Sequence, residues 1–78
     1  MNELTLMEYN PERVVYQYLP EGKGEPGEVE YNIATRESTV KTRASDDQYG
    51  RYGHFASRKV KEYVGEDYLP IRAYQAWH

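Results

Sequence analysis

The chain contains no cysteine, only two histidines, and a single Phe and a single Trp among 78 residues. Without cysteine it cannot form a disulfide or a thiolate metal site, and two histidines alone cannot complete a structural zinc site. No apolar run approaches the ~20 residues of a membrane-spanning helix, and the N-terminal residues lack the basic start and apolar stretch of a signal peptide. We therefore expect a cytoplasmic protein, without membrane contact, that is stabilised by packing alone.

Large aliphatic residues are also scarce. Leu, Ile, Val and Phe together number 13 of 78 residues, a fraction typical of disordered chains. Disorder usually requires a high net charge as well, whereas the formal net charge here is only −3. Nine tyrosines supply the missing apolar surface. Because a Tyr ring buries a large area while its hydroxyl needs a partner, the composition predicts a small core with polar edges and a binding surface.

The length fits one domain, residues 1–78, which buries only roughly 60% of its unfolded surface. Self-association that covers exposed rings would add stability, so a homodimer or another protein partner is expected. The charge is uneven, since residues 1–30 carry a net charge of −5 and residues 31–78 carry +2. Overall acidity argues against general nucleic-acid affinity, but the basic second part keeps nucleic acid as an alternative partner.

Several segments have the composition of strands. An alternation of apolar and polar residues over 28–33 is the strongest strand signal. Residues 13–19 fit a helical face or a strand face, and their β-branched and aromatic content favours the strand. Residues 39–43 and 71–77 are predicted as further strands, and residues 4–9 as an edge strand or an ordered tail. The Gly- and Pro-rich residues 20–27, between the predicted strands at 13–19 and 28–33, are predicted as a loop.

The two strands at 28–33 and 39–43 are predicted to pair antiparallel. Such a hairpin would place acidic and basic side chains on one sheet face, which favours pairing by a few tenths of a kcal/mol. The residues concerned are Glu28, Glu30, Lys41 and Arg43.

One helix is predicted after residue 44. Ser45 and Gln48 match a capping box, and Gly65 is a natural end. An apolar stripe with spacings of three and four follows, made of Tyr49, Tyr52, Ala56, Val60 and Tyr63. Gly50 and Gly53 each cost about 1 kcal/mol inside a helix, so the helix begins either near Asp46 or near Tyr52.

These elements predict an α+β fold. The expected architecture is a three- to four-stranded antiparallel sheet covered on one face by a single helix, in the order β-β-β-α-β, with an extra N-terminal strand as an alternative.

Patterns associated with cofactors and catalysis are weak. The GxGxxG match at 22–27 is followed by a strand rather than a helix, which contradicts a dinucleotide site. His54 and Ser57 lie at i and i+3 without a residue that would orient the imidazole. Asp46 and Asp47 are typical of helix caps, and no EF-hand spacing surrounds them. We therefore expect no enzyme, no cofactor and no metal.

Two groups of residues are candidates for partner binding. The first is basic: Lys41 and Arg43 on the third predicted strand, with Arg51, His54, Arg58 and Lys61 along the outer face of the helix. The second comprises Tyr9, Tyr68 and Tyr74, which have no place in the predicted core.

The leading hypothesis is a small non-enzymatic protein-interaction module of unknown specific function, able to self-associate through a Tyr-bearing sheet face. The alternative is a nucleic-acid-binding domain that uses the basic residues of the third strand and the outer helix face; this alternative rests on fold analogy.

Overall fold

The computed structural model describes residues 1–76. Five strands and one helix follow one another as β1 (Asn2–Tyr9), β2 (Arg13–Pro20), β3 (Gly27–Asn32), β4 (Glu37–Thr42), α1 (Arg51–Gly65) and β5 (Arg72–Gln75). The strands form one antiparallel sheet in the order β4-β3-β2-β1-β5. The predicted α+β fold is confirmed, and the N-terminal strand left open by the sequence is present. Trp77, which the predicted last strand included, lies outside the described residues.

The central strand β2 resolves the ambiguity of residues 13–19. Val14, Tyr16 and Tyr18 alternate along it and are fully buried on the face that carries the helix. The strand is flanked by β1 and β3 on its two edges, so its backbone groups find partners on both sides. A helix over the same residues would have spread these side chains around its axis instead of aligning them on one buried face.

Strand β1 changes its alternation part-way along. Leu4 pairs with Tyr18 and Leu6 with Tyr16, both on the helix side, but the register shifts between Leu6 and Glu8. This bulge leaves Met7 as the extra residue. The loose alternation of residues 4–9 in the sequence is the signature of this irregularity.

Strands β3 and β4 form the predicted hairpin, but charge pairing does not set its register. Glu28 lies opposite Thr42 and Glu30 opposite Thr39, with a register shift after Glu28. Glu30 instead lies 3.4 Å from Arg13 of β2.

Helix α1 covers one face of the sheet, mainly over β3 and β4. Its buried residues are Gly53, Ala56, Val60 and Tyr63, so three members of the predicted stripe are correct. Tyr52 is half-buried against this core. Tyr49 was predicted to be buried but is 78% exposed, because it precedes the first turn of the helix.

Candidate interaction surface

The helix begins at Arg51, later than the predicted capping box requires. Gly50 precedes it with a φ of 75°, a left-handed conformation that costs glycine little. The Ser45 hydroxyl does not cap the helix, since it accepts a 2.7 Å hydrogen bond from the amide of Glu25. The capping-box prediction is therefore wrong, and of the two possible starts the one near Tyr52 is correct.

The first turn is capped by Asp47, from outside the helix. Its Oδ1 accepts a hydrogen bond from the amide of Tyr52 at 3.0 Å, and its Oδ2 accepts one from the amide of Gly53 at 2.9 Å. The Tyr18 hydroxyl donates to the same Oδ2 at 2.7 Å and accepts from the amide of Ala44 at 3.0 Å. Asp47 is 1% exposed. This network fixes the start of α1, and thus the position of its outer face, relative to β2.

Gly53 is needed because this network leaves no room for a side chain. A Cβ at this position would lie 2.8 Å from the Tyr18 hydroxyl oxygen, 3.1 Å from Asp47 Oδ2 and 3.1 Å from Cγ2 of Val40. The close approach of β2 and β4 to the helix therefore explains a glycine that local helix propensity disfavours.

The basic stripe predicted on the outer face of the helix is confirmed as exposed surface. Arg51, His54, Arg58 and Lys61 are all exposed. A groove of about 400 Å³ runs between this stripe and β4. It is lined by Glu37, Ser38, His54, Ser57, Arg58 and Lys61.

Two serines join the walls of the groove. The Ser38 hydroxyl donates to the carbonyl of Ser57 at 2.9 Å, and the Ser57 hydroxyl donates to the Ser38 hydroxyl at 2.8 Å. These bonds tie β4 to the middle of α1. The Ser57 proton, considered above as part of a nucleophile pair with His54, is thus used in a bond between the two walls.

One edge of β4 is open to partners. β4 is the last strand on its side of the sheet. The amide of Arg36 binds the carbonyl of Asn32, closing the turn between β3 and β4, and the amide of Ile33 binds the carbonyl of Glu12, just before β2. Backbone groups alternate in direction along an antiparallel strand, so the N–H and C=O groups of Ser38 and Val40 point to the free edge. These two residues present the unpaired backbone groups beside the groove.

The two predicted basic residues of β4 and its continuation lie near one end of the groove. Lys41 is exposed where the register of β4 shifts. Arg43 is exposed and its Nη1 donates to the carbonyl of Gln48 at 3.3 Å, just before the helix that carries Arg51. The structure thus places the six residues of the basic group on β4, on α1 and on the segment between them, with Lys41 on the uncovered sheet face.

The three tyrosine candidates are exposed but do not form one surface. Tyr9, Tyr68 and Tyr74 are 66%, 64% and 59% exposed. Tyr74 lies opposite Glu3, six residues before Tyr9 on β1, a separation of roughly 20 Å along a strand. Tyr9 borders a cavity of about 170 Å³ with Val14, Ile33, Val64, Asp67 and Leu69.

The sheet face opposite the helix is polar. Its register places Glu3, Glu8, Glu28 and Glu30 on this face, with Tyr74 as its tyrosine in the described strands. Arg13 bridges two of the acids, 3.0 Å from Glu8 and 3.4 Å from Glu30. Arg72 and Lys41 lie toward its two edges. The face is therefore weakly acidic at its centre, in contrast to the basic surface around α1.

Within residues 1–76, no group of three or more His, Cys, Asp or Glu side chains is placed to hold a metal ion. No helix in the same part of the chain is both long and apolar enough to span a membrane. Asp47 caps the first turn of α1 through both of its carboxylate oxygens, and its neighbour Asp46 is exposed.

The sequence predicts the exposed basic side chains but not the groove that some of them line. Glu37 and Ser38 precede the predicted strand at 39–43 and carry no signal of a groove, because only the tertiary structure brings β4 beside the helix and Ser57. One signal was available: residues 37–42 contain a single large apolar residue, Val40, a composition that fits an edge strand.

Comparison with protein-family models, with curated proteins and with solved structures finds no match to this chain. A function for this chain is therefore inferred from the geometry of this surface.

Proposed function

We propose that this chain is a non-enzymatic protein-interaction module. It binds an extended segment of a partner protein by strand addition along β4, in the groove beside α1. The observation that carries the proposal is the free backbone edge of Ser38 and Val40, which lies directly next to a groove whose walls are joined by hydrogen bonds. In strand addition, backbone hydrogen bonds supply affinity and neighbouring pockets supply specificity.

The walls support this mode of binding because they are held in place before a partner arrives. Two hydrogen bonds link Ser38 to Ser57, and the capping network of Asp47 fixes the start of the helix. A preorganised site loses less entropy on binding. The register shift after Glu28 limits the regular part of the edge to about Glu37–Val40, which fits a short linear segment rather than a broad interface.

Nucleic-acid binding by the helix stripe remains the second candidate, favoured by the exposure of Arg51, Arg58 and Lys61. The mode that lays the open sheet face in a DNA groove is disfavoured. That face carries Glu3, Glu28 and other acids near its centre, and acids repel phosphates.

The proposal is tested by selecting binders from a displayed library of random linear peptides and measuring amide hydrogen exchange with and without a selected peptide. The free-edge amides of Ser38 and Val40 should become protected. The amide of Thr39 is directed at β3 and serves as an internal control, protected in both states. Selected peptides that leave both free-edge amides unprotected would refute strand addition.

A proline at the edge gives an independent check. Val40→Pro removes an N–H that points to the free edge, so a selected peptide should lose at least tenfold in affinity. Tyr74→Pro on the opposite edge strand is the matched control and should leave the affinity unchanged. Circular dichroism establishes whether each variant is folded. If Val40→Pro is unfolded, protection of the Ser38 and Val40 amides in the exchange measurement decides whether the peptide adds to β4.

A further inference from the structure

We infer that the segment bound along β4 is acidic, with Asp or Glu side chains at alternate positions turned toward α1. This inference rests on the proposed strand addition and names the chemistry of the partner. The observation behind it is the charge of the groove wall: Arg58 and Lys61 line it together with His54, and Glu37 is the one acid among the described residues that line it.

The spacing of the side chains on the helix wall of the groove is close to that of alternate side chains on an added strand. Successive residues of a strand point to opposite faces, so every second side chain of an added segment would lie on the helix side of the sheet, about 6.6–7 Å apart. On a helix, residues separated by one turn lie about 5.4 Å apart along the axis. His54, Arg58 and Lys61 therefore offer a row of cationic or hydrogen-bonding groups whose spacing is close to that of the added side chains.

The opposite side of an added strand meets a second basic group. Lys41 lies on the uncovered face near the end of β4, and Arg43 continues the chain beyond it. Both are exposed, and Arg51 lies at the start of the helix nearby. Cations thus border the groove along its helix wall and at one end, which favours an acidic segment over a neutral one.

A second copy of this chain is a poorer occupant. Antiparallel pairing of two β4 strands about Thr39 would set Glu37 of each copy opposite Lys41 of the other. Each of these two pairs would stabilise the dimer by a few tenths of a kcal/mol. The same pairing would bring the two α1 helices side by side on one face, with Arg58 and Lys61 of each facing the other. Such like charges repel wherever the pairing brings them within the ~8 Å Debye length.

The inference is tested with three blocked ten-residue peptides of alternating Thr with Glu, Gln or Lys, labelled for fluorescence anisotropy at 50 mM salt. The Glu peptide should bind about tenfold more tightly than the Gln peptide, since two or three exposed ion pairs contribute together at this level. The Lys peptide should bind more weakly than both. Raising the salt to 500 mM should remove most of the difference.

The charge of the wall is tested with a double variant and a matched control. Arg58→Gln with Lys61→Gln should abolish the preference for the Glu peptide over the Gln peptide. Lys23→Gln with Arg72→Gln removes the same charge from exposed positions outside the groove and should retain the preference.

The results that would contradict the inference can be distinguished from those that would contradict strand addition. Equal affinity for the Glu and Gln peptides, with the free-edge amides protected by both, would overturn the acidic specificity and leave strand addition standing. No detectable binding of the Glu peptide at 1 mM would also overturn the inference.

A 12-nucleotide single-stranded DNA or its duplex that binds more tightly than the Glu peptide would overturn both proposals in favour of nucleic acid. A dimer in sedimentation velocity at 100 µM, with protected Ser38 and Val40, would assign the edge to a second copy.

Discussion

At the scale of single residues, the nine tyrosines fall into groups that burial separates. Tyr16, Tyr18, Tyr31 and Tyr63 belong to the core, whereas Tyr9, Tyr49, Tyr68 and Tyr74 are exposed. The buried hydroxyls are bonded where they meet other elements: Tyr16 donates to the carbonyl of Pro70 and Tyr18 to Asp47. A tyrosine can thus fill a thin core with its ring and bond another segment of the chain through its hydroxyl.

Asp47 is predicted to be the most sensitive polar residue for stability. Asp47→Ala would leave the amides of Tyr52 and Gly53 and the hydroxyl of Tyr18 without their acceptor, at about 1–3 kcal/mol for each buried group. We expect a loss of roughly 2–4 kcal/mol in the free energy of unfolding, measured by urea denaturation. The exposed neighbour serves as control: Asp46→Ala should change stability by less than about 0.5 kcal/mol. Equal effects of the two substitutions would contradict the capping network.

Stability is predicted to fall in alkali because of the buried tyrosines. Burial raises the pKa of Tyr16 and of Tyr18 to about 12, against about 10 in an unfolded chain. The folded state holds these protons more tightly, so their contribution is complete below pH 10 and is lost as the pH rises toward 12. Urea midpoints measured from pH 8 to 11.5 should decline above pH 10. Tyr18→Phe should reduce this decline, and Tyr9→Phe should not; a midpoint independent of pH would contradict the prediction.

At the scale of elements, the strands and the helix body could be predicted, and the helix start only as two alternatives. Alternation located β3 because side chains in strands have a fixed period of two, whereas β-branched and aromatic content favoured the strand at β2. The capping-box pattern at Ser45 was misleading, since Ser45 binds Glu25 across a loop contact that no local pattern encodes. The basic stripe was visible in the sequence, but its role depends on β4 lying beside it, which only the sheet order determines.

Two glycines of α1 are predicted to respond oppositely to alanine. Gly53→Ala should destabilise the protein despite the gain in helix propensity, because its Cβ would press on the bonded Tyr18 hydroxyl. Gly65→Ala meets nothing within 4 Å and should stabilise by about 0.4–1 kcal/mol. Thermal unfolding of both variants provides the comparison. A stabilising Gly53→Ala would show that the helix does not approach β2 this closely.

At the scale of the whole molecule, the charge divides between two sides. The uncovered sheet face gathers Glu3, Glu8, Glu28 and Glu30 around Arg13, with Lys41 and Arg72 toward its edges, whereas the exposed cations of α1 lie on the other side. The sequence already showed an acidic first part and a basic second part. The fold converts that linear difference into two surfaces, because β1 to β3 supply the acidic centre of the open face, whereas β4 and α1 supply the groove.

The most direct test of the central claim is a titration of ¹⁵N-labelled protein with the alternating Glu and Thr peptide, followed by amide chemical shifts. We predict the largest changes at Ser38 and Val40 and along His54–Lys61, with none above background at the centre of the uncovered face, away from Lys41. The largest changes at residues such as Gln17 and Glu28 of that face, or around Tyr9 and Tyr68, would contradict the assignment of the β4 edge as the binding surface.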